Sequence, residues 1–168
     1  DRCRQLLEQF PSSINLYNII ATANKRLGIL DEALEAYKKI ISIKPDLAEA
    51  YYNIGVILKE QGRLEEATEV YKKALSIKDD FTEVYLNMGN ILKNQGKLDK
   101  AIEAYKKSLL IDPKNVDAYW NLSGTAEDIR EAKKWVNECL KVNPDHIKAK
   151  LTLIALKFYE GDKSEFYK

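Results

Sequence analysis

Apolar residues in this chain recur every three or four positions, and the blocks they form break at single glycines. One block places Tyr51, Ile54, Gly55 and Leu58 on a common face. Gly62 interrupts it, and Leu64, Ala67, Tyr71 and Ala74 then form a second face. This spacing predicts amphipathic helices rather than strands. The glycines Gly28, Gly62 and Gly96 suit a left-handed residue just past a helix end. Asp46-x-x-Glu49 and Asp80-x-x-Glu83 read as capping boxes that start the next helix, with Asp at the cap. The predicted unit is therefore helix, glycine turn, helix.

The unit repeats. Displaced by 34 residues, Ala48–Phe81 falls on Thr82–Asn115 with 17 of 34 positions identical, including Tyr51/Tyr85, Gly55/Gly89, Gly62/Gly96, Ala67/Ala101 and Tyr71/Tyr105. An earlier copy carries Tyr17, Ile20 and Ala21, then Gly28, then Ala33, Tyr37 and Ile40. Arg2–Phe10, ended by Pro11, looks like the second helix of a repeat whose first is missing. A fourth copy has Tyr119, Leu122 and Ser123, then Ala132, Val136 and Cys139. It lacks three residues and the turn glycine, so its first helix is predicted to be shortened by nearly a turn, with Gly124 as stop and Asp128 as the new cap. His146–Tyr159 reads as a further first helix, Gly161 as its turn, and Ser164–Lys168 as the start of another helix. With no initiator Met and an unfinished last repeat, the chain reads as a piece or processed product of a longer protein.

These residues resemble the tetratricopeptide repeat (TPR) pattern of aromatic, Leu-Gly, aromatic, Ala, aromatic and Pro anchors at a period of 34. Tyr51 stands for the usual Trp, Leu58 for the usual Tyr and Asp79 for one closing Pro. The resemblance implies an all-α, right-handed superhelical solenoid with the first helix of each repeat on the concave side. The expected division is a truncated repeat over 1–11, whole repeats over 12–45, 46–79 and 80–113, a shortened repeat over 114–144, and a partial repeat or capping helix over 145–168. All belong to one continuous solenoid. A lone repeat buries too little apolar surface to offset the entropy of ordering its backbone, so neighbours must share faces.

Candidate chemistry lies at 34-spaced positions. Asn53, Asn87 and Asn121 each follow by two residues a Tyr expected to be buried, about 200° round the helix and away from the helix-pair seam. Asn is a poor helix former, and its amide offers a donor and an acceptor together. Such a row can hydrogen-bond a passing peptide backbone without reading its side chains. It resembles the asparagine ladder of O-linked N-acetylglucosamine transferases, which implies binding of extended polypeptide; ordinary repeat-consensus usage is the competing reading. Ile19 takes the equivalent place in the first repeat, leaving at most three rungs. Tyr52, Leu86 and Trp120, one residue before these Asn, are candidate groove walls or inter-repeat packing residues. Val56 and its counterpart Asn90 complete the candidate peptide-binding set. Lys25, Lys59 and Lys93, and at the opposite helix ends Glu49, Glu83 and Asp117, read as solvated charges that support the helix dipole. The acids, with Tyr52 and Leu86, occupy the places where a chaperone-tail TPR would need Lys or Arg to clamp a carboxylate, which disfavours that mode.

Composition narrows the partners. Lys plus Arg is 27 against 26 for Asp plus Glu, so no net charge draws the chain to nucleic acid or an anionic membrane. No apolar run is long enough to span a bilayer. Cys3 and Cys139, four repeats apart, are expected to be unbridged small buried thiols, in keeping with a reducing, cytoplasmic setting. The single histidine, His146, is expected to be exposed in a helix's first turn. No catalytic set, metal spacing, cofactor loop or nucleic-acid pattern is present. The expected function is a non-catalytic scaffold that binds a protein or peptide ligand. The alternatives are the TPR arm of a larger glycosyl-, sulfo- or methyltransferase and self-association into a homo-oligomer.

Overall fold

The computed structural model describes residues 2–161. They form ten helices and, among these residues, no strand: α1 (Arg2–Gln9), α2 (Ile14–Arg26), α3 (Leu30–Ile43), α4 (Ala48–Glu60), α5 (Leu64–Ile77), α6 (Thr82–Asn94), α7 (Leu98–Ile111), α8 (Val116–Ser123), α9 (Ile129–Val142) and α10 (Ile147–Tyr159). The fold is that of an all-α helical-repeat solenoid. The Cys3 side chain and the expected helix over Ser164–Lys168 lie outside the described residues. The contacts divide into two compact units, Asp1–Val84 and Tyr85–Lys168.

The first three hairpins turn on a glycine. Gly28, Gly62 and Gly96 have φ of 75°, 76° and 73°, a conformation that a side chain disfavours. The Gly62 N–H donates to the Lys59 carbonyl and the Arg63 N–H to the Leu58 carbonyl, the paired bonds of a Schellman end. The same pair recurs at Gly96 and Lys97.

In unit 1, α4 and α5 approach until the Tyr71 ring abuts Gly55. A Cβ at Gly55 would fall 2.7 Å from Tyr71 Cδ1 and 2.9 Å from Cζ. Around this contact Ile54, Ile57, Leu58, Ala67 and Ala74 are buried. The preceding hairpin buries Ala21, Ala33, Tyr37 and Ile40 in the same roles.

Unit 2 repeats the contact with Tyr105 on Gly89, at 2.7 Å from Cδ1. Tyr105 joins Ala101 and Leu122 in one core cluster, with Leu86 and Trp135 packed against it. A second cluster holds Val136, Cys139 and Ala149, flanked by Tyr119 and Trp120. Cys139 is a fully buried free thiol, and burial, with a smaller contribution from Asp117, raises its pKa.

The helix starts differ from the capping-box expectation. The N-cap of α4 is Leu47, without a side-chain cap bond, so Asp46 lies one residue too early. At the equivalent place before α6, Phe81 is buried with its ring 5.1 Å from that of Tyr52. Polar residues take the same place elsewhere: Ser13 accepts from the Leu16 N–H, Asn115 from the Ala118 N–H, and His146 Nδ1 from the Ala149 N–H at 3.1 Å. His146 is thus a part-buried N-cap rather than an exposed first-turn residue.

The first helix of the fourth hairpin is shorter than a three-residue deletion alone would make it. Its connection, residues 124–128, is two residues longer than residues 61–63 in the second hairpin. So α8 has 8 residues where α4 has 13, a loss of about 7.5 Å of helix. Gly124 ends α8 at φ −83°, the buried Thr125 hydroxyl donates to the Leu122 carbonyl, and Asp128 caps α9 by accepting from the Glu131 N–H.

In α10 the slot occupied by Gly55 in α4, eight residues past the N-cap, holds Ile154. No tyrosine ring can seat there in the Gly55 manner, and Leu151, Ile154 and Phe158 form an exposed apolar stripe.

Gly55→Ala is expected to lower stability by about 1–3 kcal/mol in urea melts, although alanine is the better helix former. An unchanged or raised midpoint would show that the ring has room to move.

Candidate functional site

The asparagines at the 34-residue spacing occupy α4, α6 and α8, one in unit 1 and two in unit 2, and all three are half-buried. Asn53 donates one amide hydrogen to the Glu49 carbonyl of its own helix at 2.9 Å. That bond turns the amide along the helix surface and leaves its carbonyl oxygen available as an acceptor. Asn121 accepts from Lys93 Nζ at 3.4 Å, so in unit 2 a lysine of one repeat orients the amide of the next.

Asn53 also lines a cleft of about 640 Å³ in unit 1. Its other walls are Asn18, Ile19, Thr22, Lys25 and Arg26 of α2, with the buried Tyr37 as floor. Ile19, which breaks the row of amides, is 55% exposed in this cleft and supplies an apolar contact in place of a rung.

The residues preceding the asparagines pack between elements of their own units. Tyr52 tilts against Phe81 and, at 6.2 Å, against Tyr71. Leu86 packs against Ala101, Tyr105 and Leu122. Trp120 packs against the Val136 cluster, its ring 5.3 Å from that of His146. Each keeps only part of its surface toward solvent.

Val56 and Asn90 have a role their spacing did not disclose. In unit 2, Asn90 Oδ1 accepts from the Tyr105 hydroxyl at 2.8 Å. The equivalent residue in unit 1 is Val56, which is buried and has no acceptor, and the Tyr71 hydroxyl is buried without a hydrogen-bond partner. Burial raises the pKa of both phenols, that of Tyr105 to about 12. Tyr52 and Glu60 add to the shift at Tyr71. The signal was the single difference, Val against Asn, at an otherwise matching position. Ser108 presents a similar mismatch: its hydroxyl is buried and unpartnered where the preceding repeat has Ala74.

Among the described residues, no group of His, Cys, Asp and Glu is arranged to hold a metal ion. No described helix is long and apolar enough to cross a membrane.

The tetratricopeptide repeat family model matches residues 82–115, and a second TPR repeat model matches residues 23–62 and 55–96. No curated protein matches the chain at a significant level. Among solved structures, a crystal structure of MamA aligns with TM-score 0.76 at 24% identity, covering 87% of each chain. PilF of Pseudomonas aeruginosa aligns with TM-score 0.80 at 20% identity, over 89% of this chain and 69% of that one. An O-GlcNAc transferase of Thermobaculum terrenum aligns with TM-score 0.69 at 20% identity, over 76% of this chain and 26% of that one. At these identities the likeness is one of fold.

Tyr71→Phe is expected to leave stability unchanged or raise it, because an unsatisfied buried hydroxyl is removed, whereas Tyr105→Phe should cost about 0.5–1.5 kcal/mol. Val56→Asn should stabilise unit 1 by supplying the missing acceptor. Chemical denaturation of the three variants would check this, and equal losses for the two Phe variants would refute it.

Proposed function

The chain belongs to the tetratricopeptide repeat family, and from that premise we propose that it is a non-catalytic protein-interaction module that holds extended polypeptide against amide-bearing helix faces within each unit, that of α4 in unit 1 and those of α6 and α8 in unit 2. The supporting observation is the recurrence of Asn53, Asn87 and Asn121 at half-buried helix positions, with Asn53 on the wall of an open cleft. Side-chain amides can bond both groups of a peptide unit while ignoring the side chain between them. The internal bonds of Asn53 to Glu49 and of Asn121 to Lys93 hold these amides in fixed orientations. That lowers the entropy lost when a ligand arrives.

Energetics favour a weak, sequence-tolerant grip. Two hydrogen bonds per amide at about 0.5–1.5 kcal/mol each total about 2–6 kcal/mol over the two rungs of unit 2. Association costs of about 4–15 kcal/mol consume most of that. Part-exposed Tyr52, Leu86 and Trp120 would add apolar contact at the edges of such a track.

A second reading makes this module the substrate-positioning arm of a larger transferase. It draws support from the similarity to the O-GlcNAc transferase of Thermobaculum terrenum, of which the matched region is 26%.

Replacing Asn53, Asn87 and Asn121 together with Ala should weaken binding of extended peptides at least about tenfold, a loss of about 1.4 kcal/mol. Fluorescence anisotropy with a panel of unrelated labelled peptides would measure it. Unchanged affinity, with helicity preserved, would sink the proposed amide track.

A further inference from the structure

Three of the first helices begin on a side-chain acceptor, and a proton can switch one of those acceptors off. Ser13 caps α2, Asn115 caps α8 and His146 caps α10, each taking the backbone N–H three residues on. A hydroxyl and an amide keep their acceptor oxygens at any ordinary pH. His146 is the single histidine of the chain, and imidazole changes charge between about pH 5 and 8.

The bonding atom decides the consequence. His146 Nδ1 accepts from the Ala149 N–H at 3.1 Å, so this nitrogen holds a lone pair and the proton of the neutral ring sits on Nε2. A proton on Nδ1 would set donor against donor. Turning the ring over does not restore the bond, because both nitrogens of an imidazolium are donors. The cation would also stand at a helix N-terminus, where the macrodipole disfavours it. The ring packs on Trp120 of α8 with centroids 5.3 Å apart, and Ala149, whose N–H it takes, is buried with Val136 and Cys139.

The indole face attracts a cation, which opposes the loss of the cap without replacing its hydrogen bond. On α8, Asp117 lies within Coulombic range of Cys139, and the Tyr119 hydroxyl donates to the Pro113 carbonyl. On α9, Cys139 is a buried thiol, and Glu138 pairs with Lys141 at 2.6 Å. Beside the ring, Lys148 is exposed, and Asp145, 96% exposed, pairs with Lys150 at 3.1 Å. Among the described residues, no carboxylate bonds to the imidazole.

We propose that His146 is a proton-released latch on α10. Neutral, it caps the helix and holds its start on α9; protonated, it loses the cap, and the start of α10 loosens from the Val136 and Cys139 cluster. The closed helix needs Nδ1 unprotonated, so it binds fewer protons than the open one and its stability falls as pH drops. Opening exposes Leu153 and Leu156, packed on that cluster, beside the already exposed Leu151, Ile154 and Phe158, and it uncovers Trp120, the neighbour of Asn121. The latch needs no ligand and stands apart from the amide track.

The test is hydrogen exchange of the full chain between pH 8 and 5, read by mass spectrometry over peptides of α10 and corrected for the intrinsic pH dependence of exchange. The opening constant of α10 should rise at least about fivefold as pH falls through this range, the scale of a lost N-cap. That of α4, which starts without a side-chain cap bond, should hold steady. His146→Asn gives α10 the kind of cap that Asn115 gives α8, and it should keep the helix closed at pH 8 and remove the pH dependence. The series on the unaltered chain is decisive by itself: an α10 opening constant that does not rise would overturn the latch. A rise of equal size in His146→Asn would also overturn it and assign the effect to carboxylates such as Asp117 and Asp145.

Discussion

A tyrosine ring against a helix glycine is the contact on which the α4–α5 and α6–α7 hairpins depend, while Ala21 takes the glycine's place in the first hairpin. Tyr71 on Gly55 and Tyr105 on Gly89 leave no space for a Cβ between ring and backbone. The ring needs the glycine to reach the helix, and the glycine, costly in mid-helix, needs the ring to fill the space it leaves. Their mutual fit sets the separation of the two helices. With that seam occupied, residues two places past Tyr51 and Tyr85 are turned away from it, which is how Asn53 and Asn87 come to lie outside the hairpin core.

Because the seam is shared, differences at its border have consequences out of proportion to their size. One exchange, Val56 against Asn90, decides whether the tyrosine hydroxyl beside it is satisfied. At the residue preceding each first helix, Ser13, Asn115 and His146 cap with a side-chain acceptor, Leu47 forms no side-chain cap bond, and Phe81 is buried. A bonded cap or a buried apolar residue accompanies four of these starts, and the half-buried Leu47 neither, so the repeat tolerates all three. In the last described hairpin position Ile154 replaces the glycine altogether, and α10 presents an apolar stripe in place of a seat for an aromatic ring.

Much of this was legible beforehand. Helices, glycine turns and the small-against-large pairing follow from a period of 34 and from spacings of three and four, because those features are set by backbone geometry and by side-chain size. The capping box before α4 was not legible: Asp46 satisfies the local pattern, but Leu47 one residue later occupies the cap. The length of α8 does not follow from the deletion, because the change is shared between helix and connection: the Gly124–Asp128 turn, with the buried Thr125, takes two further residues from the helix. Tyr52, Leu86 and Trp120 carry no mark in their spacing that separates a groove wall from a packing residue, and which of the two they resemble depends on neighbours far along the chain.

The amino-acid order by itself determined the repeat, its hairpins and the regular placement of amides and lysines, since all of these are local or strictly periodic. Only the tertiary structure decided which polar groups meet. Lys25 and Asn53 line one cleft, Lys93 reaches Asn121 and Tyr105 finds Asn90 because helices distant in sequence are brought within hydrogen-bonding or Coulombic range by the packing of apolar faces that carry no such chemistry themselves.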